Sequence, residues 1–199
     1  MNDVKIYLLF TNTGTMLTKL IKLYTKHSLN HASIAFDEQL EELYSFGRKK
    51  PYNPFIGGFV KEQISEGLMK HAECAVYSLS VSKEEFELMR EEVRRIEQRK
   101  EQMKYNLMGL FAIVFNQTWE RENAFFCSQF VATILNRKIG LLNKIPCLTT
   151  PQDLIGIERL QLVYKGKLSY YINPYEKVVH QKCIIMGKKV YDIGRNWPD

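Results

Sequence analysis

The sequence has no CxxC pair, no block of like charge and no long apolar run, and each absence removes a class of function. Its four cysteines, Cys74, Cys127, Cys147 and Cys183, stand far apart, which argues against a zinc ribbon or a thiol-exchange motif and suits a reducing compartment. The longest apolar candidate, Leu107 to Phe115, falls well short of the ~18 residues a bilayer span requires. Met1 to Phe10 has no basic segment ahead of a long apolar stretch and no small-residue cleavage site, so it reads as a strand and not a signal peptide. A cytoplasmic protein without a transmembrane segment is the expectation. Glycine (11 residues) and proline (6) are too scarce for a disordered or collagen-like chain, and there is no internal repeat.

What is present is the composition of an ordinary folded domain. With 199 residues and 45% apolar content, the chain is expected to form one domain, 1–199, that buries roughly 70% of its unfolded surface. The net charge is +6, but the densest basic cluster, Arg94, Arg95, Arg99 and Lys100, alternates with Glu91, Glu92, Glu97 and Glu101. Such alternation marks a solvated, salt-bridged helix face and not a phosphate track, so no nucleic acid partner is expected. The charge favours an anionic substrate or peripheral contact with a membrane surface only weakly.

Local patterns outline the elements. Val4–Phe10 reads as a strand, and Leu17, Leu20, Ile21 and Tyr24 lie at helical spacing. His31–Phe36 and Glu42–Phe46 read as a hairpin around a polar turn at Asp37–Leu40. Two prolines and a glycine pair make 48–59 a loop with unusual apolar content, of the kind that covers a site. Cys74–Val81 alternates as a strand, and Ser82-Lys83-Glu84-Glu85 is a capping box ahead of a helix with Phe86, Met89, Val93 and Ile96 on one stripe. Tyr105–Phe115 and Ser128–Asn136 read as helices, and Pro151–Ile157 as a short one. Strands are expected at Leu160–Tyr164, Leu168–Ile172, Cys183–Met186 and Lys189–Ile193, with a turn at Lys165-Gly166-Lys167.

One constellation carries chemistry. Cys127 stands immediately before an apolar-periodic helix, behind Phe125 and Phe126. The free N–H groups and positive dipole end of a helix N-terminus lower a thiol pKa and can hold an oxyanion, so a nucleophilic thiolate belongs there. His31 heads a strand beside the small residues Ser33 and Ala35 on its own face, which leaves the imidazole room. The other histidines read as ordinary: His27 ends a helix, and His71 and His180 lie among charged residues. Cys74 and Cys183 fall in strand patterns, whereas Cys147 is the rival nucleophile but lacks a helix start after it.

His31-Ala32-Ser33-Ile34-Ala35-Phe36-Asp37 and Phe126-Cys127-Ser128-Gln129-Phe130-Val131 together resemble the two motifs of the circularly permuted papain-like cysteine amidases and peptidases of the NlpC type, the YiiX-like group. In that family the His-bearing hairpin precedes the catalytic Cys, as here. The resemblance covers about residues 4–157 and leaves a strand-rich extension at about 158–199. It implies an α+β, papain-like fold, a small antiparallel sheet packed on helices, and acyl transfer to Cys127 with His31 as base. No metal or organic cofactor is implied. The substrate would carry an amide bond, in a peptide, a cell-wall-type peptide or a lipid amide; the alternative is a non-catalytic binding or structural protein that retains the fold.

The family also places a polar residue on the second strand of the hairpin to orient the imidazole. Side chains alternate along a strand, so if Tyr44 and Phe46 join the apolar face of Ala32, Ile34 and Phe36, then Ser45 lies beside His31. Glu42 fits the family chemistry better but falls on the other face unless the turn is irregular. The resemblance further makes Tyr105 a candidate for the oxyanion hole, and Ser128 joins it for oxyanion or substrate contact. Tyr52 and Phe55 would form a lid over the substrate, with Gly57 and Gly58 as its hinge.

Overall fold

A computed structural model describes residues 3–12, 28–48, 57–64, 67–113, 117–176 and 178. The expected helix with Leu17, Leu20, Ile21 and Tyr24, His27, the lid residues Tyr52 and Phe55, His180, Cys183 and the last two expected strands lie outside the described residues.

The strands are β1 (Val4–Asn12), β2 (His31–Ala35), β3 (Leu43–Arg48), β4 (Gly57–Lys61), β5 (Glu73–Val81), β6 (Lys104–Tyr105), β7 (Ala124–Phe125) and β8 (Gln161–Lys167). The helices are α1 (Gly67–Lys70), α2 (Lys83–Gln98), α3 (Leu107–Ala112), α4 (Cys127–Ile139), α5 (Pro151–Ile155) and α6 (Leu168–Ile172). Six strands form one antiparallel sheet in the order β4-β3-β2-β1-β5-β8, and β6 and β7 form a short parallel pair. The fold is therefore mixed α+β. Among the described residues, no helix is long and apolar enough to cross a membrane.

The central strand β1 is a continuous buried run from Ile6 to Thr11, without the polar alternation of a half-exposed strand, because both faces of the sheet are covered. On one face Ile6, Leu8, Phe10, Ala32, Ile34 and Phe46 meet Met89, Val93 and Ile96 of α2 and Phe130, Val131 and Ile134 of α4. Each of the larger side chains among them, fully buried, is worth roughly 1.5–3 kcal/mol. On the other face Tyr7, Leu9, Ala35, Leu43, Cys74 and Val76 pack with Leu40, Ile64 and Leu168.

The capping box of α2 is present: the Ser82 hydroxyl accepts from the Glu85 N–H at 3.2 Å, and the Glu85 carboxylate accepts from the Ser82 N–H at 2.7 Å. The expected stripe faces inward, with Met89, Val93 and Ile96 buried. The β2–β3 turn is held by Asp37, whose carboxylate accepts from the N–H groups of Glu41 and Glu42 at 2.9 and 2.6 Å.

Three local expectations are corrected. Gly57 and Gly58 are strand residues paired with Arg48 and Gly47, not the hinge of a loop. The requirement for glycine is packing at position 57, where a Cβ would lie 2.8 Å from both the Gly47 carbonyl oxygen and the Tyr105 Cβ. Residues 165–167 continue β8 instead of turning, since Gly166 adopts φ +151°, a conformation other residues avoid, and a Cβ there would meet the Tyr164 hydroxyl at 2.8 Å. Consequently Leu168–Ile172, expected as a strand, forms helix α6.

Candidate active site

The hairpin register decides what stands beside His31. Ile34 pairs with Tyr44 and Ala35 with Leu43, so the same register carried along the strands sets Ser33 opposite Ser45 and His31 opposite Gly47. Opposed residues of an antiparallel pair share a face, which puts Ser33, Ser45 and His31 together. A Cβ on Gly47 would come within 3.7 Å of the His31 ring and 3.6 Å of the Ser45 hydroxyl, in agreement with that placement.

A third strand completes the group. β4 pairs Ser45 with Val60, and one residue past its end the Glu62 N–H donates to the Leu43 carbonyl at 2.8 Å. The alternation Gly58, Val60, Glu62 thereby delivers a carboxylate to the face that carries His31. Glu62 Oε1 lies 2.6 Å from His31 Nε2 and also accepts from the Ser45 hydroxyl, while Oε2 accepts from the Ser33 hydroxyl at 3.0 Å.

Sequence reasoning missed Glu62, and the orienting roles considered for Ser45 and Glu42 are both corrected. Ser45 is on the expected face but bonds the carboxylate and not the ring. Glu42 pairs with Arg90 of α2 at 2.6 Å. The signal that could have found Glu62 is the period-2 pattern of residues 58–62, masked by the glycine pair that suggested a loop.

Helix α4 supplies the thiol. It starts at Cys127, one residue earlier than the apolar pattern indicates, with Phe126 in extended conformation at the cap and its N–H bonded to the Gln129 side-chain oxygen at 3.4 Å. Phe46 holds this helix entrance against β3, with its ring 5.1 Å from that of Phe125 and 5.2 Å from that of Phe130. The Cys127 sulfur lies 3.9 Å from the Asn30 carbonyl, and the backbone N–H groups of Ala32 and Ser128 point at it. The His31 ring hydrogen-bonds the sulfur; because Nε2 is engaged with Glu62, Nδ1 is the nitrogen left for this bond.

The electrostatics follow from these contacts. Burial alone would push the Cys127 thiol up, but the His31 hydrogen bond and charge, aided by the two N–H groups, bring it below its ordinary value. Burial disfavours the His31 cation, yet the Glu62 carboxylate and the Cys127 sulfur outweigh it and hold the imidazole up at about 10. Burial likewise opposes the Glu62 charge, and the His31 cation with the hydrogen bonds from His31, Ser45 and Ser33 keeps the carboxyl below its usual range. The three shifts act together, each favouring the charged form in a thiolate–imidazolium–carboxylate chain.

The other described cysteines behave oppositely. Burial, with Glu73 nearby, pushes Cys74 up to about 12, and burial with Glu120 pushes Cys147 up to about 11. Cys147, the rival nucleophile of the sequence, is a buried thiol in the short 3₁₀ turn Pro146–Leu148. Cys74, Cys127 and Cys147 are all free thiols.

Tyr105 is not helical as expected. It belongs to β6, in register with Phe125 two residues before the thiol, and the helix beyond it starts at Leu107, where the Asn106 side-chain oxygen accepts from the Gly109 N–H at 3.0 Å. It packs on Gly57, so the supposed hinge and the supposed oxyanion residue are neighbours. Ser128 serves the sulfur through its backbone; its buried hydroxyl donates to the Thr149 carbonyl at 2.8 Å and is a structural tie instead of a substrate group. The chain matches no protein-family model, no curated protein and no solved structure.

Proposed function

We propose that the protein is a cysteine-dependent amide hydrolase with a permuted papain-like arrangement, in which Cys127 is the nucleophile, His31 the acid–base and Glu62 the residue that orients and charges the imidazole. The observation that carries this reading is the meeting of three distant segments: a thiol at a helix N-terminus, an imidazole on β2 and a carboxylate just beyond β4. A merely packed cysteine needs neither partner.

The thiolate attacks the substrate carbonyl carbon, forming a C–S bond while the carbonyl oxygen becomes an oxyanion. The Cys127 N–H, among the first four N–H groups of α4 that lack a helical acceptor, is the donor assigned to that charge. His31 gives its Nδ1 proton to the leaving amine, and the C–N bond breaks to leave a thioester. Neutral His31 then takes a proton from water, the hydroxide attacks the thioester carbon, and the C–S bond breaks to release the acid product and restore the Cys127 thiolate beside protonated His31. Glu62 keeps the ring in one orientation through both halves. Substrates are amides of peptide, cell-wall-peptide or lipid type.

A second reading is favoured by the low exposure of Cys127, 4%: a non-catalytic binding protein that retains the fold. Incubation with an activated p-nitrophenyl ester separates the two. A burst of nitrophenol equal to the enzyme, with an acyl mass on the Cys127 peptide and none in Cys127→Ser, is expected for the hydrolase. No burst and no adduct would leave the binding reading.

A further inference from the structure

The strand face that carries His31 holds two hydroxyls, Ser33 and Ser45, which are fully buried. Both donate to Glu62. Ser33 takes Oε2 at 3.0 Å, and Ser45 takes Oε1, the oxygen that also accepts from His31 Nε2. A carboxylate in so enclosed a place is driven toward its neutral form unless donors compensate. Three donors on two oxygens compensate here, and because they arrive from β2 and β3 they also fix the plane of the carboxylate.

We propose that Ser33 and Ser45 are positioning residues that keep Glu62 ionised and aimed at His31, so that this serine pair sets the lower pH limit of the thiolate–imidazolium pair. The inference rests on the triad reading above.

Among the described residues, the titratable group facing Glu62 on the inner side is His31 of β2, which in turn meets Cys127 of α4. On the outer side Glu62, whose side chain is 9% exposed, borders an open cleft of about 820 Å³ that also carries Glu38, Glu41 and Lys61. Tyr171, on the wall of the same cleft, is pushed by burial up to about 12 and stays neutral. Protons therefore reach Glu62 from the cleft, while the serines resist its protonation from within.

Two or three hydrogen bonds to a carboxylate lower its pKa by about two units, so removing both serines returns about one to two units to Glu62. Once Glu62 is protonated, His31 loses its counter-charge and the thiolate is protonated at a higher pH. At the alkaline end Glu62 is ionised with or without the serines. Only the acid limb moves. A purely structural role would lower the whole profile and shift neither limb.

The test is iodoacetamide alkylation of Cys127 from about pH 4 to about pH 11, read by peptide mass spectrometry. It compares wild type with Ser33→Ala, Ser45→Ala, the double variant, Ser45→Thr and Glu62→Gln. We expect the double variant to raise the acid midpoint by about one unit, a tenfold loss of rate below it, with each single variant giving about half. Ser45→Thr, which keeps the hydroxyl, should stay near wild type, and the alkaline limb should not move. An acid midpoint within about 0.2 unit of wild type, or a uniform fall in rate, overturns the proposal. If the double variant does not fold, the single variants decide by the same limits, with the His31 ring ¹⁵N shifts as a second reading. A wild type lacking a low-pH plateau sinks the triad reading; a plateau sensitive to Glu62→Gln but not to the serines sinks this proposal alone.

Discussion

Glu62→Gln is the most informative single substitution. It keeps the size and one acceptor of the side chain but deletes the charge that lies 2.6 Å from His31 Nε2. An opposite charge at that range holds a titrating group by about one to three units. The His31 pKa, held at about 10 in the native protein, should fall by about two units, toward 8. The thiolate loses the same support from the imidazolium, so its own pKa rises. The acid limb of the Cys127 alkylation profile thus moves up, and below the wild-type midpoint the rate should drop about tenfold to hundredfold, because thiolate fraction falls tenfold per unit. Peptide mass spectrometry of iodoacetamide adducts gives the profile, with Cys74 and Cys147 in the same digest as controls. A variant profile that superimposes on wild type within about 0.3 unit would refute the reasoning.

Three further outcomes follow from the geometry. Folding stability should change little just below pH 9, where the folded pair (Cys⁻, His⁺) and the unfolded pair (neutral His, neutral Cys) hold equal charge; the ordinary values are 6.5 for His and 9.0 for Cys. Above 9 the unfolded thiol ionises while folded His31 still holds its proton to about 10, so stability falls there. Urea titrations at several pH values check this, and Cys127→Ala, which leaves the raised His31 without its compensating thiol, should make stability fall already from pH 6.5 upward. Glu42→Gln breaks only the half-exposed Arg90 bridge, so it should cost under about 1 kcal/mol in urea unfolding and leave the alkylation profile unmoved. Gly57→Ala drives a methyl to 2.8 Å from the Gly47 carbonyl oxygen and the Tyr105 Cβ. Overpacking of that kind costs about 1–3 kcal/mol, a melting-temperature loss of several degrees by differential scanning fluorimetry.

The parts of the site legible in the sequence are those encoded within one element. Alternation along His31–Phe36 and the register of a hairpin with a defined turn put Ser45 beside His31, and the apolar period after Cys127 marked the helix start that activates the thiol. The capping box at Ser82 likewise announced α2. Glu62 was not legible, because its place depends on β4 pairing with β3, and the segment leading to β4 is dense in proline and glycine, which punctuate loops far more often than strands. Gly57 is needed there for the close approach of Tyr105, a tertiary cause that no local pattern carries. The exchange of strand for helix at 168–172 has a related origin: the Tyr-rich run has β propensity, but Gly166 lets β8 run on through the expected turn, and Leu168 then turns inward to cover the face that carries Cys74.

The central claim is that Cys127 and His31 act as an ion pair. The pH dependence of Cys127 alkylation in wild type and in His31→Ala tests it most directly. The account predicts that Cys127, unlike Cys74 and Cys147, reacts rapidly well below pH 8 in the wild type and loses that advantage in His31→Ala. Alkylation of Cys127 only near its ordinary value of 9.0, indifferent to His31, would contradict it.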